Sequence, residues 1–273
     1  MARIVILTNG NYFATRVVEP LIAQRPNEIA AILRISGDYK GRTGFQSAAW
    51  LIRVTTLPYF IYKVISVLLF SFARKIWRGA PFVIADVAKQ YGIPLLDFAS
   101  IRSEEAIRAV EEARPDLIVS AACPQLIPKR VLESARFGGI NTHGSLLPRT
   151  AGLAPYYWVL VDGDAETGTT IHYMTSKFDD GNILAVAHVP LAARDSAFNV
   201  FRKIAAATGE ILPEAVALAL AGEPGRPMPK EGHTYRSHPD WKSYRTLRRG
   251  GHRLARISEL WSAVRDTVRA RAE

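Results

Sequence analysis

The sequence predicts an α/β fold with a Rossmann-like, mostly parallel sheet and helices on both of its faces. Short runs of continuous apolar and β-branched residues, such as residues 4–7 and 117–119, are typical of strands buried on both sides. Stretches with helical periodicity alternate with these runs along the chain. This alternation favours a parallel sheet, in which ligands bind at the carboxyl ends of the strands.

Each element is predicted from its local pattern and from the residues that punctuate it. Gly92 and Pro94 end the second helix, and Glu104 and Glu105 suit the first turn of the third. The predicted strands are residues 4–7, 28–35, 93–97, 117–120, 140–143, 167–175 and 183–189. The predicted helices are residues 13–23, 82–91, 103–113 and 196–220.

The domain organisation follows from changes in composition. Residues 1–222 are predicted to form one domain with an apolar helical insert at about residues 37–80, and residues 223–273 to form a short basic C-terminal extension. This extension has 12 Lys and Arg against 6 Asp and Glu, and the whole chain carries a net charge of +10. Such an excess favours anionic partners, although a solvated basic tail explains the extension equally well.

The insert is richest in apolar and aromatic residues between Trp50 and Trp77. Its apolar centre, residues 57–72, contains Pro58 and Lys63 and is too short as a helix to cross a bilayer core of about 30 Å. Tryptophans at both ends and neighbouring basic residues indicate a peripheral contact with a membrane interface. Packing against the chain's own domain or in a homodimer remains open.

A single cysteine, Cys123, excludes a disulfide within the chain and fits a reducing compartment. The apolar run at residues 4–7 is too short for a signal peptide. We therefore expect a cytoplasmic location, with the inner membrane surface as an additional site if the insert binds lipid.

The residues most indicative of chemistry lie between positions 138 and 184. Asn141 and His143 are two apart on a predicted strand, so their side chains point the same way. They either face a cleft together or fill a core together. Further along come the run from Ser145 to Pro148, then Gly152, the strand that contains Gly168 and His172, and the loop Asp179-Asp180-Gly181.

This series of motifs, in this order and spacing, resembles the formyltransferase family, which includes glycinamide ribonucleotide, methionyl-tRNA and nucleotide-sugar formyltransferases. The resemblance implies a formyl donor, 10-formyltetrahydrofolate, and an amine acceptor. It also implies that Asn141 and His143 donate hydrogen bonds to the oxyanion and that Asp179 orients His143 and relays a proton. No metal ion is required.

The same resemblance implies where the folate binds. Cys123, Pro124, Gln125, Leu126 and Ile127 would line the pterin pocket, and the loop 175–180, with Asp180, would close over it. Ser145 would contact the donor or only cap its turn, and core packing is the alternative for Leu126 and Ile127.

The acceptor is predicted to be a small or lipid-linked amine, such as an amino sugar. The glycine-rich phosphate loop of the purine enzyme is reduced here to Asn9-Gly10-Asn11, and Thr150 and Ala151 replace a basic or aromatic pair. The extension is short for a tRNA-binding barrel, so tRNA is not expected. The alternatives are a formyl hydrolase on the same scaffold, a methionyl-tRNA formyltransferase-like enzyme, and a non-catalytic folate-binding protein.

Overall fold

A computed structural model of the protein describes residues 1–38 and 42–270. Residues 39–41, which fall inside the predicted insert, and residues 271–273, at the end of the predicted extension, lie outside the described residues. The main sheet has seven strands in the order β3-β2-β1-β4-β5-β7-β8. The first five of these strands are parallel, and the pairs β5–β7 and β7–β8 are antiparallel. The prediction of a mostly parallel α/β sheet is confirmed.

The strands match the predicted ones to within a few residues, and two two-residue strands were not predicted. The strands are β1 (Ile4–Thr8), β2 (Ile29–Ile35), β3 (Leu95–Phe98), β4 (Leu117–Ala121), β5 (Gly139–His143), β6 (Ala151–Gly152), β7 (Glu166–Tyr173), β8 (Ile183–Pro190) and β9 (Tyr235–Arg236).

All four predicted helices are present, together with helices in the insert, between the strands and in the extension. The helices are α1 (Tyr12–Gln24), α2 (Gly44–Val54), α3 (Leu57–Ile76), α4 (Ile84–Tyr91), α5 (Glu104–Ala113), α6 (Lys129–Glu133), α7 (Pro155–Asp162), α8 (Ala197–Leu220), α9 (Trp241–Arg249) and α10 (Ile257–Arg269).

Helices cover both faces of the sheet, as predicted. Ile4 and Ile6 of β1 pack in one apolar cluster with α1, α4 and α8, whereas Val5 and Leu7 pack in another with α5 and α6. Both sides of β1 are therefore buried, which explains its uninterrupted apolar sequence.

The insert forms two helices, α2 and α3, and α3 is longer than its sequence suggests. Pro58 lies in the first turn, where its missing N–H is not needed, and Thr56 caps the helix by accepting a hydrogen bond from Tyr59 N at 3.3 Å. The helix continues to Ile76, so it has 20 residues instead of the 16 in its predicted apolar centre. Among the described helices, α3 alone is long and apolar enough to cross a membrane, and the length argument against a spanning helix is therefore wrong.

The basic extension folds back onto the rest of the chain. Strand β9 pairs with β6 in a second, two-stranded sheet. Leu247 of α9 and Ala263 and Val264 of α10 are buried in the same apolar cluster as Tyr59 of α3 and Phe198 of α8. Residues 223–270 therefore complete the core of the preceding residues and do not form a solvated tail.

Candidate active site

Asn141 and His143 lie on β5, where it pairs with β7. Asn141 is half-buried, and its Oδ1 accepts a hydrogen bond from Ser120 Oγ at 2.9 Å. This bond fixes the orientation of the amide, because the Ser120 hydroxyl is the donor and Nδ2 must then point away from β4. The pair does not fill a core, because both side chains lie in a polar cluster near the carboxyl end of β5.

His172 is part of the same cluster, although sequence reasoning placed it only in the supporting strand. It is opposite Asn141 in the β5–β7 register, and its Nε2 is 3.3 Å from Asn141 Nδ2. Its Nδ1 donates to the Tyr173 carbonyl at 2.8 Å, so Nε2 accepts from Asn141 when the ring is neutral and donates towards Asp179 when the ring is protonated. The signal that could have found it is antiparallel pairing, which places a buried His directly across from Asn141.

Asp179 reaches this cluster from the loop between β7 and β8. Its Oδ1 is 3.4 Å from His143 Nδ1 and 3.6 Å from His172 Nε2, and its Oδ2 accepts from the Gly152 N–H at 3.2 Å. The structure thus brings together Asn141, His143 and Asp179, the three residues predicted to be catalytic.

Glycines hold the loop that presents Asp179. A side chain at Gly181 would overlap the main chain of Tyr173, so the loop passes β7 at a distance that only glycine permits. Asp179 itself has a φ of +51°, a left-handed conformation that is strained for a residue with a side chain. At Gly152, a side chain would overlap Arg236 O and approach the ring of Tyr235, so the extension forms one wall beside the Asp179 carboxylate.

Asp179 is held as a carboxylate. Burial alone would raise the pKa of its carboxyl group, but the charge of His143, the hydrogen bond and charge of His172 and the Gly152 N–H outweigh burial and lower the pKa to about 2. The group is therefore suited to orienting a histidine and to accepting a proton only transiently.

Both ring nitrogens of His143 lie next to oxygen atoms of the protein. Its Nδ1 faces Asp179, and its Nε2 donates to the Thr150 carbonyl at 3.2 Å. The ring is 8% exposed, and both of its nitrogens face protein acceptors. This arrangement holds the His143 ring against the Asp179 carboxylate. The donation of hydrogen bonds from Asn141 and His143 to an oxyanion stays a prediction.

The residues predicted to line the pterin pocket lie in the loop after β4. Two of their side chains, those of Gln125 and Ile127, make contacts within the protein instead. The Gln125 amide is buried: its Oε1 accepts from Ser100 Oγ and Ile101 N, and its Nε2 donates to the carbonyls of Gly37, Asp38 and Ala99. Ile127 is part of the core cluster below the loop. The side chains of Cys123, Pro124 and Leu126 are half-buried and remain at the surface of this loop.

Ser145 and Asp180 do not face the cluster. Ser145 is 1% exposed, and its Oγ donates to the Arg149 carbonyl at 2.8 Å, so it caps its own turn. Asp180 is exposed, with its Oδ2 3.8 Å from Lys177 Nζ. Of the two adjacent acids, Asp179 is the one that contacts the histidines.

The chemistry available here uses amide, imidazole and carboxylate groups. Burial raises the pKa of the Cys123 thiol to about 11, which argues against a thiolate nucleophile. Within residues 1–38 and 42–270, no group of three or more His, Cys, Asp or Glu side chains is arranged to hold a metal ion.

Comparisons with known proteins give a consistent family. Two curated relatives are methionyl-tRNA formyltransferases. The one from Bacillus cytotoxicus is 39% identical over 150 residues, which cover 55% of this chain and 47% of the relative. The one from Geobacillus thermodenitrificans is 39% identical over 144 residues, which cover 53% and 45%. The match thus spans about half the length of these relatives.

Solved structures share the fold at low sequence identity. A sugar N-formyltransferase from a Shewanella species has a TM-score of 0.56 and 18% identity, with 89% of this chain and 78% of that chain covered. The glycinamide ribonucleotide transformylase 1 from Symbiobacterium toebii has a TM-score of 0.57 and 20% identity, with 84% and 94% covered.

A third structure is the N-formyltransferase from Helicobacter canadensis in complex with folinic acid and dTDP-3-aminofucose. Its TM-score is 0.55 and its identity 13%, with 89% of this chain and 72% of that chain covered.

A sequence model of the family described as Formyl transferase matches residues 70–216, more than half of the chain and all of the cluster around Asp179. The chain belongs to the formyl transferase family.

Proposed function

We propose that the protein transfers a formyl group from 10-formyltetrahydrofolate to the primary amine of a small or lipid-linked acceptor such as an amino sugar. The observation that carries the proposal is the contact of Asp179 with both His143 and His172, with Asn141 held beside His172. A buried carboxylate and an oriented amide N–H are the groups that formyl transfer to an amine requires.

Each residue has a step that it can perform. The amine attacks the formyl carbon, and the carbonyl oxygen becomes an oxyanion. Asn141 Nδ2 has two hydrogens, and since only one of them is directed to His172, the other can donate to the oxyanion. The ammonium of the intermediate then loses a proton, which Asp179 can relay through water to the departing folate nitrogen.

Two observations support a folate as the donor. The loop after β4 presents the half-buried side chains of Cys123 and Leu126, and the loop that bears Asp179 exposes the apolar ring of Phe178. Apolar surfaces next to main-chain polar groups suit a flat pterin. The structure of the N-formyltransferase from Helicobacter canadensis is a complex with folinic acid.

The acceptor has two candidates with different support. A small amine is favoured by the wall that the Thr234–Arg236 segment builds beside Gly152, and by the aminosugar nucleotide named for the Helicobacter canadensis protein. Methionyl-tRNA is favoured by the curated relatives, which match this chain at 39% identity. The acceptor assay below tests both.

The catalytic assignment is tested by matched variants of two adjacent acids. Asp179→Asn and Asn141→Ala should each lower the rate of transfer by about two to three orders of magnitude, because each removes one group that acts on the transition state. Asp180→Asn, which alters an exposed carboxylate away from the histidines, should retain the wild-type rate. Equal activity of Asp179→Asn and the wild type would contradict the mechanism.

Donor and acceptor are identified in the same assay. Calorimetry with 5-formyltetrahydrofolate should detect binding, and release of tetrahydrofolate from the formyl donor is then measured with an aminosugar nucleotide, with methionyl-tRNA, and with neither. Release that requires the sugar amine supports the proposal. Release that requires methionyl-tRNA would identify methionyl-tRNA as the acceptor. Release of tetrahydrofolate without any acceptor would identify a hydrolase.

A further inference from the structure

The outer surface of the helical insert is an exposed apolar face. Ten of the eighteen large hydrophobic residues that are exposed among the described residues lie between Phe45 and Ile76. Isolated exposed apolar residues are ordinary on a protein surface, but a contiguous group marks a contact site. We therefore expect another surface to cover the apolar face of the insert.

Helix α3 presents two opposite faces. One face packs on the domain through Tyr59, Tyr62, Ser66, Phe70 and Ala73. The other is exposed and apolar along the whole helix, through a row of residues spaced three or four apart, which we name the apolar row: Leu57, Ile61, Ile65, Leu68, Phe72 and Ile76. The exposed fraction of these side chains lies between 45% and 63%.

The packed face keeps α3 within the fold. The Tyr59 hydroxyl is hydrogen-bonded to that of Tyr156 at 2.7 Å, and Phe70 stacks on Tyr12 with their ring centroids 3.9 Å apart. Both contacts would be lost if α3 left the domain to cross a bilayer. The helix can therefore offer its apolar row to a surface while its other side remains in the core.

Helix α2 extends the same kind of surface. None of its residues is fully buried, and Phe45 and Ile52 are 87% and 49% exposed. Helix α10, which contacts α3, exposes Trp261 by 53%. Tryptophan and phenylalanine are the side chains that favour the interfacial region of a membrane.

The charge of the insert indicates which kind of surface covers this face. Residues 39–85 contain no Asp or Glu and seven Lys or Arg. Arg53 of α2, Lys75 at the end of α3 and Arg78 just beyond it are exposed. An apolar face accompanied by cations and no acids is complementary to an anionic lipid surface, where apolar side chains enter the headgroup region and cations meet phosphates.

A second copy of the chain is less complementary. A two-fold contact through the apolar row would bring the same basic surface onto itself, so that cations such as Arg53 and Lys75 would be brought together with no Asp or Glu from residues 39–85 to pair with them. Like charges brought together across an interface are unfavourable. We propose that the apolar row of α3, with α2 beside it, docks the protein on the surface of an anionic membrane.

This surface is connected to the candidate active site. The ring of Trp50 in α2 contacts that of His238 with their centroids 4.9 Å apart, and His238 follows closely on β9, which pairs with β6 at Gly152. Gly152 in turn donates to Asp179. A protein docked in this way would present its extension and its active site near a lipid-linked amine, but docking itself does not depend on the proposed formyl transfer.

The test is flotation of the full chain with vesicles. The wild type should float with vesicles of phosphatidylcholine and phosphatidylglycerol, and less with phosphatidylcholine alone or at high salt. Val67, next to Leu68 in sequence, is also an apolar side chain of α3 and is 63% exposed. Val67→Ser, Leu68→Ser and Phe72→Ser together should lower the partition coefficient by at least about 100-fold, because three exposed apolar side chains are removed.

Three further variants separate docking from misfolding and test the role of charge. Val67→Leu, Leu68→Ile and Phe72→Leu keep the same positions apolar and should still float. Arg53→Glu with Lys75→Glu should lower partitioning by about tenfold or more, whereas Arg102→Glu with Arg108→Glu, on the other face of the sheet, should not.

Three results would overturn the proposal. The first is a wild type that stays at the bottom of the gradient with anionic vesicles. The second is a dimer in sedimentation that the serine variant converts to a monomer, without flotation of either form. The third is bound protein that only detergent releases, because that result would indicate that α3 spans the bilayer.

Discussion

At the scale of single residues, the candidate site depends on the Asp179 carboxylate, which its neighbours keep ionised. Asp179 is largely buried, and that burial would ordinarily raise its pKa, yet two histidines and a main-chain N–H lower it to about 2. The same contacts that orient the group for chemistry therefore stabilise the folded protein whenever Asp179 is ionised.

The pH dependence of stability follows from that shift. The folded pKa of about 2 lies below the ordinary value of 3.8, so the contribution of Asp179 is fully present above about pH 4 and is lost as the pH falls towards 2. At neutral pH it amounts to about 2 kcal/mol. Urea unfolding of the wild type and Asp179→Asn should show this difference in free energy of unfolding near neutral pH.

The difference between the two proteins should then shrink as the pH is lowered from 4. Asp180→Asn is the control, and it should differ little from the wild type at any pH, because its carboxylate is exposed. A difference between wild type and Asp179→Asn that stays constant down to acid pH would contradict the assignment of the low pKa to Asp179.

At the scale of elements, the site depends on how closely the 174–182 loop approaches β7. Gly181→Ala would place a methyl group against the main chain of Tyr173, so the loop must shift and Asp179, two residues earlier, must move with it. A displacement of about 1 Å at a reacting group costs about 100-fold in rate. Transfer activity should fall by that order while the circular dichroism spectrum is retained.

The control for this variant is Gly250→Ala. At Gly250 the φ is −70° and the nearest atom to an added methyl group is a side-chain carbon of His252 at 3.3 Å, so no backbone has to move. Wild-type activity in Gly181→Ala would show that the loop does not need its present path to position Asp179.

Much of the secondary structure could be predicted because the elements are locally consistent. Strand β1 begins with the continuous apolar run of residues 4–7, and helices such as α5 carry their own caps, with Ser103 Oγ accepting from Ala106 N at 3.3 Å. The apolar helix α7 was not predicted. The two-residue strands β6 and β9 were not predicted either, because they form only by pairing between residues far apart in the chain.

The site could be predicted only in part for a related reason. Asn141, His143 and Asp179 occur in a recognisable series, but the contact of His172 with Asn141 depends on strand register. The Gln125 side-chain amide uses its hydrogen-bonding groups on two loops, at residues 37–38 and 99–101. The sequence does not indicate that these loops lie next to Gln125. Local patterns do not encode such long-range contacts.

At the scale of the whole molecule, the insert and the extension share one core with the sheet-covering helices. Tyr59 of α3, Tyr157 of α7, Phe198 of α8 and Leu247 of α9 belong to one cluster of buried residues. The Tyr157 hydroxyl donates to Ser243 Oγ at 3.1 Å, which ties α7 to α9. Loss of the extension would therefore expose apolar surface on the domain that contains the candidate active site.

This continuity can be tested by a single truncation in the extension. Leu247 is 0% exposed, so Leu247→Ala should lower the free energy of unfolding of the whole protein by about 2–5 kcal/mol, which combines lost burial with the cavity left behind. Leu96→Ala, at a residue 37% exposed on the edge strand β3, is the control and should cost less than half as much. Urea unfolding should follow a single transition, with near-ultraviolet circular dichroism and tryptophan fluorescence changing together. If Leu247→Ala instead produced a separate early transition and left the main one unchanged, the extension would be an independent unit, and the wall beside Gly152 would not be a fixed part of the candidate active site.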